Sequence, residues 1–351
     1  MARPEKEGAP GAAPEPGEAG KQGCREPSDS RQHTRLADWV AGARPRTLPA
    51  AAAPILAGVA AGFESVPSPP LWRLVLLPLL CLGVALALQV GVNYANDYSD
   101  GIRGTDDVRV GPVRLTASGL ARPRSVKRAA FLCFGAAAVL GGVIVVITGH
   151  WWLLLVGAAS ILAAWYYTGG PRPYGYRGLG EVMVFLFFGL VATAGTAYVQ
   201  GGTAPGWLWA AAGGVGLIAC SLLMVNNLRD IDTDPAHGKM TLAVRLGEPS
   251  ARRVFSAMLH LPLVLGAASL VWAREVGSAS PADGGGRIGP LLTLVIALAV
   301  PLLLLPLVRR AVVPVRAGAR GRDLISSLRD AGLLELAYGL VFAAATVVIT
   351  L

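Results

Sequence analysis

Asn93-Tyr94-Ala95-Asn96-Asp97-Tyr98-Ser99-Asp100 closes an apolar run that begins at Leu71, and Asn226-Asn227-Leu228-Arg229-Asp230-Ile231-Asp232-Thr233-Asp234 closes another that begins at Trp207. Each run is long enough to cross roughly 30 Å of hydrocarbon at 1.5 Å per residue. An ionised aspartate at a bilayer boundary is costly unless a cation compensates it. Two such clusters therefore suggest a shared site for a metal ion and a polyanion.

The rest of the chain agrees with a membrane setting. Of 351 residues, 53% are hydrophobic and 15% charged, and the mean hydropathy is +0.53, too apolar for a soluble domain of this length. Cys24, Cys81, Cys133 and Cys220 are scattered without a CxxC spacing, which indicates neither a zinc site nor a disulfide framework. The net charge of +9 is explained by loop topology, so no nucleic-acid partner is expected.

Residues 1–34 are rich in Pro, Gly, Glu, Arg and Ser and read as a disordered tail, leaving 35–351 as one transmembrane domain. No secretory leader is visible, because the first apolar stretch starts near Leu48. Hydropathy then predicts nine spans: Leu48 to Phe63, Leu71 to Asn93, Ala129 to Thr148, Trp151 to Thr168, Glu181 to Val199, Trp207 to Asn226, Val254 to Trp272, Ile288 to Val308 and Leu333 to Leu351. The expected fold is all-α, with nine transmembrane helices around a central cavity.

Charge sets the expected orientation. With the tail in the cytoplasm, the loops on that side carry Arg103, Arg109, Arg114, Arg122, Arg124, Lys127 and Arg128. They also carry Arg229, Lys239, Arg245 and the arginines between Arg309 and Arg329, whereas the far side has only Arg73, Arg274 and Arg287. That asymmetry fits the positive-inside rule and an odd helix count, and it puts both acidic clusters at the cytoplasmic face.

Within the clusters, Asn93, Asp97 and Asp100 fall at i, i+4 and i+7, and Asn226, Asp230 and Asp234 at i, i+4 and i+8. Each trio shares one face if the helix continues through it. Hard oxygen donors with few His or Cys nearby suit Mg²⁺, which is usually held by one or two carboxylates plus substrate phosphates. The other reading is that the acids pair with the loop arginines. Two clusters at equivalent positions favour the metal.

These motifs resemble those of the UbiA superfamily of intramembrane prenyltransferases. The resemblance is carried by Asn93xxxAsp97xxAsp100 and Asn226xxxAsp230xxxAsp234, with Arg44-Pro45-Arg46-Thr47, Asn96-Asp97, Arg114-Leu115-Thr116-Ala117-Ser118-Gly119, Tyr167-Thr168-Gly169-Gly170-Pro171 and Gly238-Lys239-Met240-Thr241. Within that superfamily the chain is most similar to the 1,4-dihydroxy-2-naphthoate polyprenyltransferases of menaquinone biosynthesis. The broader superfamily often places a further Asp four residues after the second Asp of the first motif; here that position is Gly104, and Asp106 follows two later.

The resemblance implies a bilayer enzyme that uses two Mg²⁺ ions to bind a polyprenyl diphosphate and transfers its prenyl group to 1,4-dihydroxy-2-naphthoate with loss of CO₂. It implies metal ligation by Asp97, Asp100, Asp230 and Asp234, with Asn93, Asn226 and Asp106 as further candidates. Lys239, Arg103 and Arg245 would neutralise the leaving diphosphate, with Asn96 and Asn226 beside it. Arg44 or Arg46 would pair with the acceptor or else anchor the chain at the interface. Tyr166 and Tyr167 would shield the cation or simply be interfacial tyrosines. His150, His237 and His260 read as non-catalytic. A related enzyme for another acceptor, such as 4-hydroxybenzoate, stays open, as does a cation-coupled transporter with two similar halves. The oligomeric state is not legible.

Overall fold

The computed structural model describes residues 34–64, 70–105, 114–278 and 288–350. Residues 1–33 of the expected tail and Asp106 lie outside the described residues. Among them the chain is all-helical, with no strand. The helices are α1 (Leu36–Gly42), α2 (Pro49–Glu64), α3 (Leu71–Ile102), α4 (Pro123–Thr148), α5 (Leu153–Tyr166), α6 (Gly180–Gly201), α7 (Leu208–Arg229), α8 (Leu242–Leu246), α9 (Glu248–Ser278), α10 (Pro290–Arg316) and α11 (Leu324–Thr350).

All nine expected spans are helical, but the first and fourth are too short to cross a membrane alone. Seven helices are long and apolar enough to do so, or eight if α1 and α2 count as one span bent by 50°. The bend has a local cause. Arg44 adopts a left-handed backbone at φ 55° and Pro45 follows it, so α1 cannot run on into α2. The fourth span, expected to reach Thr168, stops at Tyr166 after 14 residues, where Gly169-Gly170-Pro171 breaks the helix. At about 21 Å it falls short of the hydrocarbon thickness.

Other helices exceed their apolar runs. Helix α3 continues to Ile102 instead of ending near Asn93, α4 begins at Pro123 and α11 at Leu324. Polar residues in helical order add turns that hydropathy alone does not count.

The spans pack through close approach of small residues, the usual means where lipid removes a hydrophobic force between helices. Gly189 of α6 lies against Gly216 of α7, and a Cβ at Gly189 would come within 2.6 Å of the Gly216 Cα. Around that crossing, Phe185–Val191 forms a π-helical stretch within α6. Such stretches turn side chains out of α register, often at functional sites. Here Phe187, Phe188 and Val191 border a cavity.

The remaining packing separates a lining from a scaffold. Helix α3 packs on α4, α2 lies against α6 and α11, and α7 against α9 and α11, with α10 between α9 and α11. Among the described residues, the cavity wall comes from α2 to α7, the segments around Arg44 and Tyr167, Arg114, Lys239, and two α11 residues, Ile325 and Leu328; α9 and α10 supply none of it. The core on the α7 side holds Trp207, Phe255, Tyr338 and Phe342, all buried.

Candidate functional site

The cavity encloses about 890 Å³, a size suited to a large organic ligand. One end is apolar, formed by Ala137, Gly141 and Val145 of α4, Leu153 and Leu154 of α5, and Val199 of α6. The other end gathers Asn93, Asn96 and Asp100 from α3, Asn226, Asn227 and Arg229 from α7, and Arg44, Arg46, Arg114 and Lys239 from the connecting segments. Apolar helix faces fill the first end. The second is polar because helices α3 and α7 terminate in their Asn/Asp motifs there.

Asp100 is the one carboxylate that borders the cavity among the described residues. It is 2% exposed and accepts a 2.8 Å hydrogen bond at Oδ1 from the Tyr176 hydroxyl. Asp97 shares its helix but does not border the cavity. Both of its oxygens are taken by backbone: the amides of Leu115 and Thr116 donate to Oδ2 and Oδ1 at 2.8 Å each. Gly101 makes that approach possible, since a Cβ there would come within 2.6 Å of the Thr116 side chain. Asp97 thus fixes the segment that carries Arg114 into the cavity.

The second motif is built differently. Helix α7 ends at Arg229, and Asp230 caps it at φ −104°, so Asp230 and Asp234 do not continue one helical face. Asp230 forms a two-pronged pair with Arg229, at 2.9 Å from Nε to Oδ1 and 2.8 Å from Nη2 to Oδ2. Asp234 begins a short 3₁₀ turn and lies 3.9 Å from the Lys239 ammonium. Both aspartates are buried, but the cavity is bordered by their neighbours Arg229 and Lys239.

The asparagines tie the wall together. Asn93 donates to the Ala43 carbonyl at 2.9 Å, supporting the kink that holds Arg44 and Arg46 at the cavity. Arg44 sits in its left-handed conformation there, a strained arrangement that surrounding contacts must maintain. Asn96 accepts from the Thr168 hydroxyl at 2.8 Å. Asn226 donates to the Leu222 carbonyl at 2.9 Å, and Asn227 donates to Glu181 at 3.0 Å.

Other expected residues divide. Tyr167 borders the cavity, whereas Tyr166 does not and is 49% exposed. Arg103 lies outside the lining and donates to the carbonyls of Thr168 and Gly170 at 2.5 Å each. Arg245 also lies outside it, donating to the Met240 carbonyl at 3.2 Å. His150 packs against the Tyr198 ring, and His260 bonds within its own helix.

Sequence reasoning missed Tyr176, Arg114 as a cavity cation, Thr168 and Asn227. Tyr176 lies on a 3₁₀ turn, Tyr174–Arg177. Burial, reinforced by the Asp100 charge, raises its hydroxyl pKa above the ordinary value, so at neutral pH it is a donor. Its spacing from either motif carries no periodic signal, and only the folded loop brings it to Asp100.

Comparison with known proteins decides the family. The model of the UbiA prenyltransferase family matches residues 51–312. The chain belongs to the UbiA prenyltransferase family. Among UbiA relatives, it is 46% identical over 315 residues to the 1,4-dihydroxy-2-naphthoate octaprenyltransferase of Mycobacterium tuberculosis, covering 88% of this chain and 97% of that protein. It is 39% identical over 240 residues to the Escherichia coli protein of the same name, covering 67% and 76% respectively. A UbiA homolog from Archaeoglobus fulgidus bound to GPP and Mg²⁺ shares the fold at TM-score 0.57 and 15% identity, covering 88% of this chain and 99% of that one. The apo UbiA homolog from Aeropyrum pernix K1 does so at TM-score 0.56 and 18% identity, covering 86% and 98%. The chain is a multi-pass membrane prenyltransferase of this fold.

The donor set fits Mg²⁺ in one respect and limits it in another. Asp100 and the amide oxygens of the asparagines are hard oxygen donors at the polar end. Among the described residues, no three acidic, His or Cys side chains converge into a metal cage.

Proposed function

We propose that this protein transfers a polyprenyl group from an allylic polyprenyl diphosphate to 1,4-dihydroxy-2-naphthoate with loss of CO₂, giving a demethylmenaquinol. The observation that carries the reading is a cavity with an apolar arm at one end and Asp100 among arginine and lysine side chains at the other. An amphipathic donor with a dense anionic head matches that polarity. The naphthoate follows from the names of relatives that align over nearly their whole length.

Asp100 would hold Mg²⁺, with Asn93, Asn96 and Asn226 as neighbouring oxygen donors and Asp230 and Asp234 as further carboxylates from the second motif. Two Mg²⁺ ions bound there with the diphosphate would supply the Lewis acidity that polarises its bond to the allylic carbon. Lys239, Arg229 and Arg114 receive the negative charge as that C–O bond breaks and its electron pair leaves with the diphosphate. Asp97 acts through the backbone, keeping Arg114 in place. Arg44 and Arg46, on the kinked entry to α2, fork onto the acceptor's carboxylate. The acceptor's carboxylate-bearing carbon forms the new C–C bond, CO₂ departs, and the electron pair it leaves restores the aromatic ring. Tyr167 and the apolar wall keep water from the cationic prenyl carbon. By the loop charges, the site and the N-terminus face the cytoplasm, in a cytoplasmic membrane.

Purified protein with Mg²⁺, a polyprenyl diphosphate and carboxyl-labelled 1,4-dihydroxy-2-naphthoate is expected to release labelled CO₂ in step with prenylated product. Prenylation of 4-hydroxybenzoate with the naphthoate untouched would overturn the acceptor assignment. Cation uptake by vesicles with no prenyl product would overturn the enzyme.

A further inference from the structure

Three segments meet beside Asp100, and one side chain touches all of them. Tyr176 donates its hydroxyl to Asp100 at 2.8 Å, and the Thr105 hydroxyl lies 3.1 Å from the Tyr176 hydroxyl oxygen. Its ring centroid is 5.4 Å from the Arg103 guanidinium carbon and 5.6 Å from the Lys239 ammonium, distances at which an aromatic face attracts a cation. Its carbonyl accepts the amide of Met240 at 2.9 Å, the residue after Lys239.

We propose that Tyr176 is a positioning residue that spaces the two motifs. Its hydroxyl aims the carboxylate of Asp100, and its ring attracts both Arg103 and Lys239, keeping Lys239 at the polar end of the cavity. This rests on the function proposed above for the polar end. Two like charges sharing a small volume repel, and one ring against both offsets part of that repulsion. A tyrosine has two side-chain torsions, so a residue fixed at hydroxyl, ring and carbonyl is a rigid strut. A side chain that merely filled the loop would need the ring's bulk but not its charge distribution or its hydroxyl.

The two halves of the strut separate by substitution. Tyr176→Phe keeps the ring and loses the hydroxyl; it is expected to raise the Mg²⁺ concentration for half-maximal activity about tenfold, with pyrophosphate binding in the absence of metal unchanged. Tyr176→Leu removes both, and is expected also to weaken metal-free binding of inorganic pyrophosphate about tenfold by calorimetry. Tyr176→Met replaces it if the leucine variant does not fold, and the melting temperature checks each protein. An unchanged Mg²⁺ requirement in Tyr176→Phe, or equal pyrophosphate binding in the Phe and Leu variants, overturns the proposal. The pyrophosphate contrast between the variants, together with no prenyl transfer by the wild-type protein, would support the strut's ring and sink the function proposed above.

Discussion

The two Asn/Asp motifs have almost the same spacing in sequence and are built by opposite means. In the first, α3 runs through Asn93, Asp97 and Asp100 and ends only at Ile102, so the trio keeps its helical order. Two backbone amides orient Asp97, and a tyrosine hydroxyl orients Asp100. In the second, the helix stops at Arg229, and its acids lie beside cations, Arg229 for Asp230 and Lys239 for Asp234. A hydroxyl that donates to a carboxylate fixes the direction in which that carboxylate points. A carboxylate beside an arginine or lysine also holds that cation in place, here one that borders the cavity.

That contrast is broken most severely at Asp100. Asp100→Asn is expected to lower kcat about 10³-fold with an unchanged melting temperature; a loss under tenfold would mean that the metal is held elsewhere. Asp230→Asn should lower kcat about 10²-fold and also destabilise the protein by about 3 kcal/mol, because it weakens a buried ion pair. Activity lost without any fall in stability would make the two motifs alike after all. Asp97→Asn should cost about tenfold in kcat, within the range for a group that only orients others. Amide exchange at Leu115 and Thr116 should speed up in the same variant, and unchanged exchange there would count against the backbone clamp. The smallest effect belongs to Tyr166→Phe, which should stay within about twofold of wild type on an exposed side chain. A larger drop would put Tyr166 at the cavity in solution.

Much of this architecture is legible in the amino-acid sequence alone. Each expected apolar run falls on a helix, although only seven or eight spans are long enough to cross a membrane, and the Asn/Asp endings mark the polar end of the cavity. Helix lengths are harder to read, because Arg44 and Gly170 take left-handed backbone conformations that hydropathy does not register. The site is legible as residue types and less so as roles. Spacing places Asp97 on a helix face but cannot show that two amides of residues 115 and 116 fold back to occupy it. Nor can spacing show that the second motif leaves its helix at Asp230, since that end depends on local capping. Tyr176 reaches the site through tertiary contacts, for which a single sequence carries no periodic mark.

The most direct test of the central claim compares Mg²⁺-dependent binding of a polyprenyl diphosphate to purified Asp97→Asn and Asp100→Asn proteins. The account predicts that Asp97→Asn keeps binding that depends on Mg²⁺ and that Asp100→Asn loses it. Equal loss in both, or loss in Asp97→Asn alone, would contradict it.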